Sequence, residues 1–483
     1  MPLQTAAASG GFALDRGARR ELEERVSEAL ALARRARRRV LASVTVPFAA
    51  GADLSAAVLA ARRDGDRFFC LEQPERDEFA LATLGQAAVI EAGGARRFPA
   101  VARACRELAE VALTGDAAAD PGRPAAAGPL LVGGFAFAPE GGGGPEWSSL
   151  APAQLVLPEV LLARHRGEAR LTACVAVDGD EAPAAVLERV EQRLESLRPA
   201  RMPLLDPDPT GRTRVAGTAP PAHYEAAVAR AVERIHAGNL SKVVLAREVR
   251  VHASQRFDPA PVLDALRGAF PACYCYCVGT PELALVGASP ELLVRREGAR
   301  AQTVALAGTA RRSADPAVDA HLGEQLRNST KDREEQAIVA RRIEQTLRPA
   351  SVWVAVAPEP SLVKVQNVQH LATPIRAQLA DPVSAVELAG LLHPTPAVGG
   401  EPWSRAESLI PALEGLDRGW YAGPVGWTDL QEDGEFFVAL RCALLRGSVA
   451  HLFAGDGIVR DSVPSDELAE TEIKLQALLP LLT

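Results

Sequence analysis

The sequence predicts an α/β protein of the α+β kind, with antiparallel sheets covered by helices. Three observations predict it. Strand-like runs follow each other in hairpin fashion, most clearly in ELALVGASPELLVRREGARAQTVALAGT (282–309), which reads as three short strands joined by turns at GASP and REGA. Helical patterns stand between groups of such runs. The 483 residues are 48% hydrophobic and 24% charged, which is ordinary for a globular chain with a large core. No repeat of fixed period is visible.

Taken in order, the segment with Asp15, Glu21, Glu23, Glu24 and Glu28, ending in RRARRR (34–39), reads as an exposed amphipathic helix. LLVGGFAF (130–137) and LTACVAV (171–177) are strand-like, and 184–197 is helical. Two stretches rich in Ala, Gly and Pro, 114–128 and 139–147, are predicted loops, and 203–221 a connector between two halves. Tyr224, Ala227, Val228, Ala231 and Ile235 mark one face of a helix that Gly238 stops. In NLSKVVLAREVRV (239–251), Lys242 stands at the mouth of an apolar strand. It is either a solvated strand end or a charge held at the rim of a cavity. CYCYC (273–277) on a strand points Cys273, Cys275 and Cys277 to one face and the two tyrosines to the other. A continuous helix is predicted over 318–347, with strands near 351–356, 434–445 and 449–459. The last helix, SDELAETEIKLQALLPLL, is predicted to start from a Ser/Asp cap.

Composition excludes several classes. The 53 basic against 61 acidic residues give a net charge of −8, which is no nucleic-acid footprint. Seven cysteines, an odd number, make no disulfide framework, and spacing by two suits buried thiols better than a metal site. No apolar run is long enough to span a bilayer, and no signal-peptide pattern follows Met1, so a cytoplasmic protein is expected.

Two acidic helices carry the chemical signal. Glu467, Glu470 and Lys474 are offset i, i+3, i+7 and share one helix face. Glu334 and Glu335 in KDREEQ sit beside Ile338 and Val339. Each pattern alone is most often a solvated face. Stiff, glycine-rich turns accompany them: LAGT (306–309), HPTPAVGGEP (393–402) and AGDGIV (454–459). Carboxylates converging there from two helices would suit a hard cation such as Mg²⁺.

These motifs carry a resemblance. SKVVLARE, GASPELLVR, LAGTARR, KDREEQAIV, VQHLATPI, LHPTPAVGGEP, GWYAGPVGW, GEFFVALRCALL, AGDGIV and PSDELAETEIK occur in this order across about 222–480. Together they resemble the chorismate-utilising enzymes, most closely the isochorismate synthases of menaquinone type. The resemblance implies one integrated α/β unit, two large antiparallel sheets enclosing the site with helices outside. Residues 222–483 would form the catalytic region, and 1–221 would complete the sheets. It implies a Mg²⁺-dependent isomerase (hydroxymutase type) that adds water at C2 of chorismate while the C4 hydroxyl leaves.

Carried over by position, Lys242 resembles the general base and Glu291 the general acid. The base must offer a neutral amine and the acid must stay protonated. Glu335 and Glu470 resemble direct Mg²⁺ ligands, with Glu467 close by. Lys474 and Arg441 resemble the cations that meet the substrate carboxylates, Gly308, Thr309 and Gly455 its backbone or hydroxyl donors, and His370 the active-site histidine. The resemblance implies chorismate as the substrate; no nucleic-acid or membrane partner is expected, and the protein is expected to be a monomer or homodimer.

Relatives differ in the nucleophile. Ammonia-using anthranilate synthases typically carry Gln where Lys242 stands, and one type of aminodeoxychorismate synthase carries a nucleophilic lysine where Ala307 stands. Both differences favour water and isochorismate. Salicylate synthase, which goes on to eliminate pyruvate, is the alternative: Ala397, Val398 and Phe453 are synthase-like, whereas Tyr421 and Leu440 also suit salicylate enzymes. A homologue kept only as a binding protein would have lost an acid–base position, and none is missing. Gln336, where many relatives have His, and Asp456, in a turn usually made of small residues, depart from the pattern. The AVGG turn leans toward menaquinone rather than siderophore supply.

Overall fold

A computed structural model of the protein describes residues 12–49, 51–115, 126–206, 211, 213–366 and 368–483. Among them, twenty-three strands form a thirteen-stranded and a ten-stranded sheet. The first sheet runs Arg214–Gly217, Lys242–His252, Val449–Ile458, Cys442–Arg446, Leu283–Ser289, Tyr274–Gly279, Phe68–Gln73, Phe79–Leu84, Val160–His165, Glu168–Val177, Val40–Pro47, Ala112–Leu113, with Gly400–Glu401 added beside the Lys242 strand. The second runs Ser351–Val356, Val368–Leu379, Arg300–Arg311, Leu292–Glu297, Gly434–Val438, Pro424–Asp429, Leu130–Phe135, Ala153–Leu157, Ala88–Ala92, with Ser361–Lys364 added on Val368–Leu379. Pairing is antiparallel except between Val40–Pro47 and Ala112–Leu113. Strands from both sides of residue 221 are hydrogen-bonded neighbours in each sheet: Tyr274–Gly279 pairs with Phe68–Gln73, and Pro424–Asp429 with Leu130–Phe135.

One apolar core joins side chains of both sheets, including Phe69, Phe135, Tyr276, Phe436 and Phe437. A second lies between the other face of the first sheet and helices such as Arg16–Ala36 and Pro259–Ala269. The alternation of CYCYC follows this division. Tyr274 and Tyr276 enter the first core, and the three cysteines enter the second. All seven thiols are free and buried. The N-terminal helix buries Leu22, Val26, Ala29, Leu30 and Ala33, is capped by Asp15, and ends within the basic run at Arg37, which is left-handed.

Several predicted elements change. The GASP turn is no hairpin: Leu283–Ser289 belongs to the first sheet and Leu292–Glu297 to the second, whereas REGA does close a hairpin. The predicted strand 434–445 is two strands, Gly434–Val438 in the second sheet and Cys442–Arg446 in the first. The two crossings brace each other. Val438 N donates to Glu291 O (3.0 Å) and Ala288 N to Arg441 O (3.1 Å); Ser289 Oγ donates to Val438 O (2.5 Å). An apolar run reads the same whether it stays in one sheet or changes sheets, so period alone cannot reveal the crossing.

The long helix over 318–347 is two helices, Pro316–Asn328 and Thr330–Leu347, parted at Ser329. Ser329 is extended and its hydroxyl accepts from Asp332 N, capping the second helix. The last helix spans Pro464–Leu475 and has no side-chain cap; Ser465 and Asp466 lie inside its first turn, behind a proline start. The 203–221 connector contains the edge strand Arg214–Gly217, and its residues 207–210 and 212 lie outside the described residues, as do 116–125 of the first predicted loop. The 139–147 loop closes with a 3₁₀ turn that buries Trp147. Among the described residues no helix is long and apolar enough to cross a membrane.

Candidate active site

Lys242 opens its strand and is fully buried, so it is neither a solvated end nor an exposed rim charge. Its Nζ lies 2.8 Å from Glu335 Oε1. The contact is an ion pair whose angles fall short of a hydrogen bond, since Nζ has no aligned acceptor. Gly457 makes this approach possible: a Cβ there would stand 2.1 Å from Glu335 Oε1 and 2.9 Å from Lys242 Cε.

The two sheet crossings deliver Glu291 and Arg441 to the space between the sheets. Arg441 has φ +47° at the crossing. Glu291 is buried, and burial pushes its carboxyl up to about 8 although Lys242 and Lys474 pull the other way. Arg441 Nη2 lies 2.6 Å from His370 Nε2, and His370 Nδ1 lies 3.1 Å from Gly308 O. A guanidinium only donates and a carbonyl only accepts, so His370 is neutral, with its proton on Nδ1. Burial, then Arg441 and Lys474, depress it to about 3. Gly308 has φ +75° in a bulge between Ala307 and Thr309, which brings its carbonyl and the Thr309 hydroxyl (3.2 Å) onto the same imidazole nitrogen.

The C-terminal helix presents Glu467, Glu470 and Lys474 on one face, as their spacing predicts. Lys474 Nζ reaches Gly455 O, Asp456 Oδ1 and Glu470 Oε1, each at 3.0 Å. Burial works against the ammonium, but the two carboxylates outweigh it and raise its pKa. Asp456, Glu467 and Glu470 each offer an oxygen within 4.8 Å of the others. Burial, then the charge of Glu470, raises Asp456 well above the usual range; burial also acts on Glu470, but Lys474 holds it down to about 2. Glu467 is raised by burial, countered by Lys331, whose Nζ stands 2.7 Å away.

These groups surround a cavity of about 90 Å³. Glu291, Gly308, Thr309, Glu335, His370, Arg441, Gly455 and Lys474 line it. Lys242, Glu467 and Glu470 are not among the lining residues. Lys242 pairs with the lining residue Glu335 and Glu470 with the lining residue Lys474, while Glu467 pairs with Lys331. Ala397, Val398, Tyr421, Leu440 and Phe453 all contribute apolar wall, and Ala307 lines it without a nucleophile. Of the two departures, Asp456 faces the cavity, whereas Gln336 turns away and donates to Thr373 Oγ1 at 2.5 Å. Glu334 is exposed.

Three residues escaped the sequence reading. Lys331 lies inside KDREEQ, but nothing local marks it as a partner of Glu467 on another helix. Gly457 was read only as part of a stiff, glycine-rich turn. Arg418 pairs with Glu414, donates to Val398 O (2.8 Å) and Val244 O (3.0 Å), and so ties the HPTPAVGGEP turn to the Lys242 strand. A Glu–Arg pair four apart was its signal, ordinary on any helix.

Comparison with known proteins gives a consistent picture. The family described as chorismate binding enzyme matches residues 26–483. The Pseudomonas aeruginosa salicylate biosynthesis isochorismate synthase is 37% identical over 407 residues, 84% of this chain and 83% of that protein. Isochorismate synthase MenF of Bacillus subtilis is 35% identical, covering 74% and 75%. Among solved structures, MenF, the menaquinone-specific isochorismate synthase of Escherichia coli, superposes with a TM-score of 0.76 at 26% identity, covering 95% of this chain and 100% of that one.

Proposed function

The chain belongs to the chorismate binding enzyme family, and we propose that it is an isochorismate synthase built on the acid–base pair Lys242 and Glu291. The observation that carries the mechanism is Glu291, a buried carboxyl facing the cavity whose pKa of about 8 leaves it mostly protonated at neutral pH. It can therefore give a proton to the departing C4 hydroxyl, which a carboxylate could not. Lys242 is the group to take the proton from the water that attacks C2, a role that requires its amine neutral, with the proton it shares with Glu335 given up. Arg441 and Lys474 supply positive charge for the two substrate carboxylates. Neutral His370 accepts from Arg441 and fixes the plane of the guanidinium without adding a competing charge. Each positioned acid or base contributes on the order of 10²–10⁴-fold.

Glu335, Glu470 and Glu467 are the residues that would hold Mg²⁺. Glu467 and Glu470 belong to a group of carboxylate oxygens close enough for a hard cation, whereas Glu335 lies outside that group and is paired with Lys242. Bound there, Mg²⁺ would neutralise and orient the ring carboxylate. One observation favours a second reading. Tyr421 and Leu440, compatible with salicylate synthases, line the cavity beside Ala397, Val398 and Phe453.

The test is to incubate purified protein with chorismate and Mg²⁺, without glutamine or ammonia, and to separate products by chromatography with mass detection. A species of chorismate's mass but different retention, lost with EDTA, is expected. Salicylate with pyruvate would establish the second reading, and no product from folded protein would remove Lys242 and Glu291 from their roles.

A further inference from the structure

We propose that Asp456 is itself a ligand of the divalent cation, a carboxylate from the strand end that joins those of the two helices; this rests on the metal site of the isochorismate synthase reading. Asp456 sits in the strand Val449–Ile458, opposite Leu245 of the Lys242 strand. It is 6% exposed. One of its oxygens, Oδ1, takes Lys474; the other, Oδ2, is buried with no hydrogen-bond donor. A buried carboxylate oxygen left without a donor is costly, and natural structures rarely leave one so.

The surroundings say what is missing. One oxygen each from Asp456, Glu467 and Glu470 lies within 4.8 Å of the others. Around a hard cation of Mg²⁺ or Mn²⁺ size, neighbouring oxygens stand about 3.0 Å and opposite ones about 4.2 Å apart, so a bound cation would draw the three oxygens inward. Lys474 is paired with Asp456 and Glu470, and Lys331 with Glu467, so three acidic groups share two ammonium groups. At Gly457, the next residue, a Cβ would meet the Glu335 carboxylate. Asp456 is thus flanked by candidate ligands on both helices. Hard divalent cations are the class that takes such a set, because every donor is a carboxylate oxygen.

The experiment strips the full-length protein of metal with EDTA and titrates it with Mg²⁺ by calorimetry and with Mn²⁺ by electron paramagnetic resonance, without substrate. Wild type, Asp456→Ala, Asp456→Asn and Glu470→Gln are compared. Loss of a ligand is expected to weaken both cations by about 10–100-fold in each variant. Water-proton relaxation should count one more exchangeable water on Mn²⁺ in Asp456→Ala than in wild type. Unchanged or tighter binding in the two Asp456 variants, with Glu470→Gln weakened, overturns the assignment and leaves the metal site standing. Weaker binding by Asp456→Ala with the wild-type water count also overturns it, because Asp456 then acts only as a distant charge. If wild type binds neither cation yet converts chorismate, the metal site itself falls and this assignment with it. Should Asp456→Ala fail to fold, the near-isosteric Asp456→Asn decides alone through its affinity, because its amide oxygen is an uncharged and weaker ligand: weaker binding supports the assignment and unchanged binding overturns it.

Discussion

Glu291→Gln separates the proposed acid role from ordinary packing, because one substitution has two effects of opposite sign. Glutamine keeps the shape but can neither ionise nor donate an acidic proton. The Glu291 carboxyl stands at about 8 in the fold against 4.5 ordinarily. Between these values the folded chain holds a proton that the unfolded chain has released. Wild-type stability therefore falls as pH rises through this window. A tenfold change in an equilibrium is worth about 1.4 kcal/mol, so the deficit reaches about 3 kcal/mol at pH 7 and about 5 kcal/mol above pH 9. Glu291→Gln is expected to match wild type near pH 5 and to exceed it by up to these amounts as pH rises. Its turnover should drop by about 10²–10⁴-fold, and the alkaline fall of wild-type kcat near pH 8 should reflect the same proton. Urea unfolding at pH 5, 7 and 9, with chorismate turnover across the same range, reads both effects. A stability difference that does not grow with pH would refute the account of Glu291, and turnover retained by the variant would refute its role as the acid.

Lys242→Ala removes the base and strands the Glu335 carboxylate; turnover should fall by about 10²–10⁴-fold and stability by about 3–5 kcal/mol, while Mg²⁺-dependent chorismate binding largely survives. Chorismate binding lost together with turnover would count against a purely chemical role. Gly457→Ala puts a Cβ 2.1 Å from Glu335 Oε1, so the carboxylate must swing off Lys242. A misplacement on this scale lowers kcat by about 10²-fold and also lowers the melting temperature, since Lys242 is left buried without its partner; an unchanged kcat would show that the Lys242–Glu335 contact is dispensable. Nitrogen-15 NMR of His370 should show the Nδ1–H neutral form down to about pH 4, since its pKa is about 3. The unfolded chain takes up this proton below its ordinary 6.5 and the fold does not, so His370 contributes to loss of stability as pH falls through that window. An imidazolium signal at pH 6 would contradict the Arg441 contact.

Much of the local structure was legible from side-chain period. The faces of CYCYC, the helix through Tyr224 and Ile235, and the shared face of Glu467, Glu470 and Lys474 depend on geometry that repeats every two or 3.6 residues. Short-range chemistry was less secure. Ser329 ends one helix and caps the next because its hydroxyl competes for a backbone N–H, a choice that an apolar period does not record. The ordered motifs of the second half were enough to indicate chorismate chemistry and the residues to look for.

What the sequence by itself determined is the inventory: which acids, bases and cations are present, on which local faces, and of which family. Only the tertiary structure decided how they meet. The two crossings between sheets bring Glu291 and Arg441 together from segments that read as uninterrupted strand. Burial turned Lys242 from an apparent strand-end charge into the partner of Glu335, and raised the Glu291 carboxyl. It also aimed Asp456 at the acid cluster and Gln336 away from the cavity. The physical reason is range. Period and capping act within a turn or two, whereas the dielectric around a charge, and the partner it finds there, depend on residues far away along the chain.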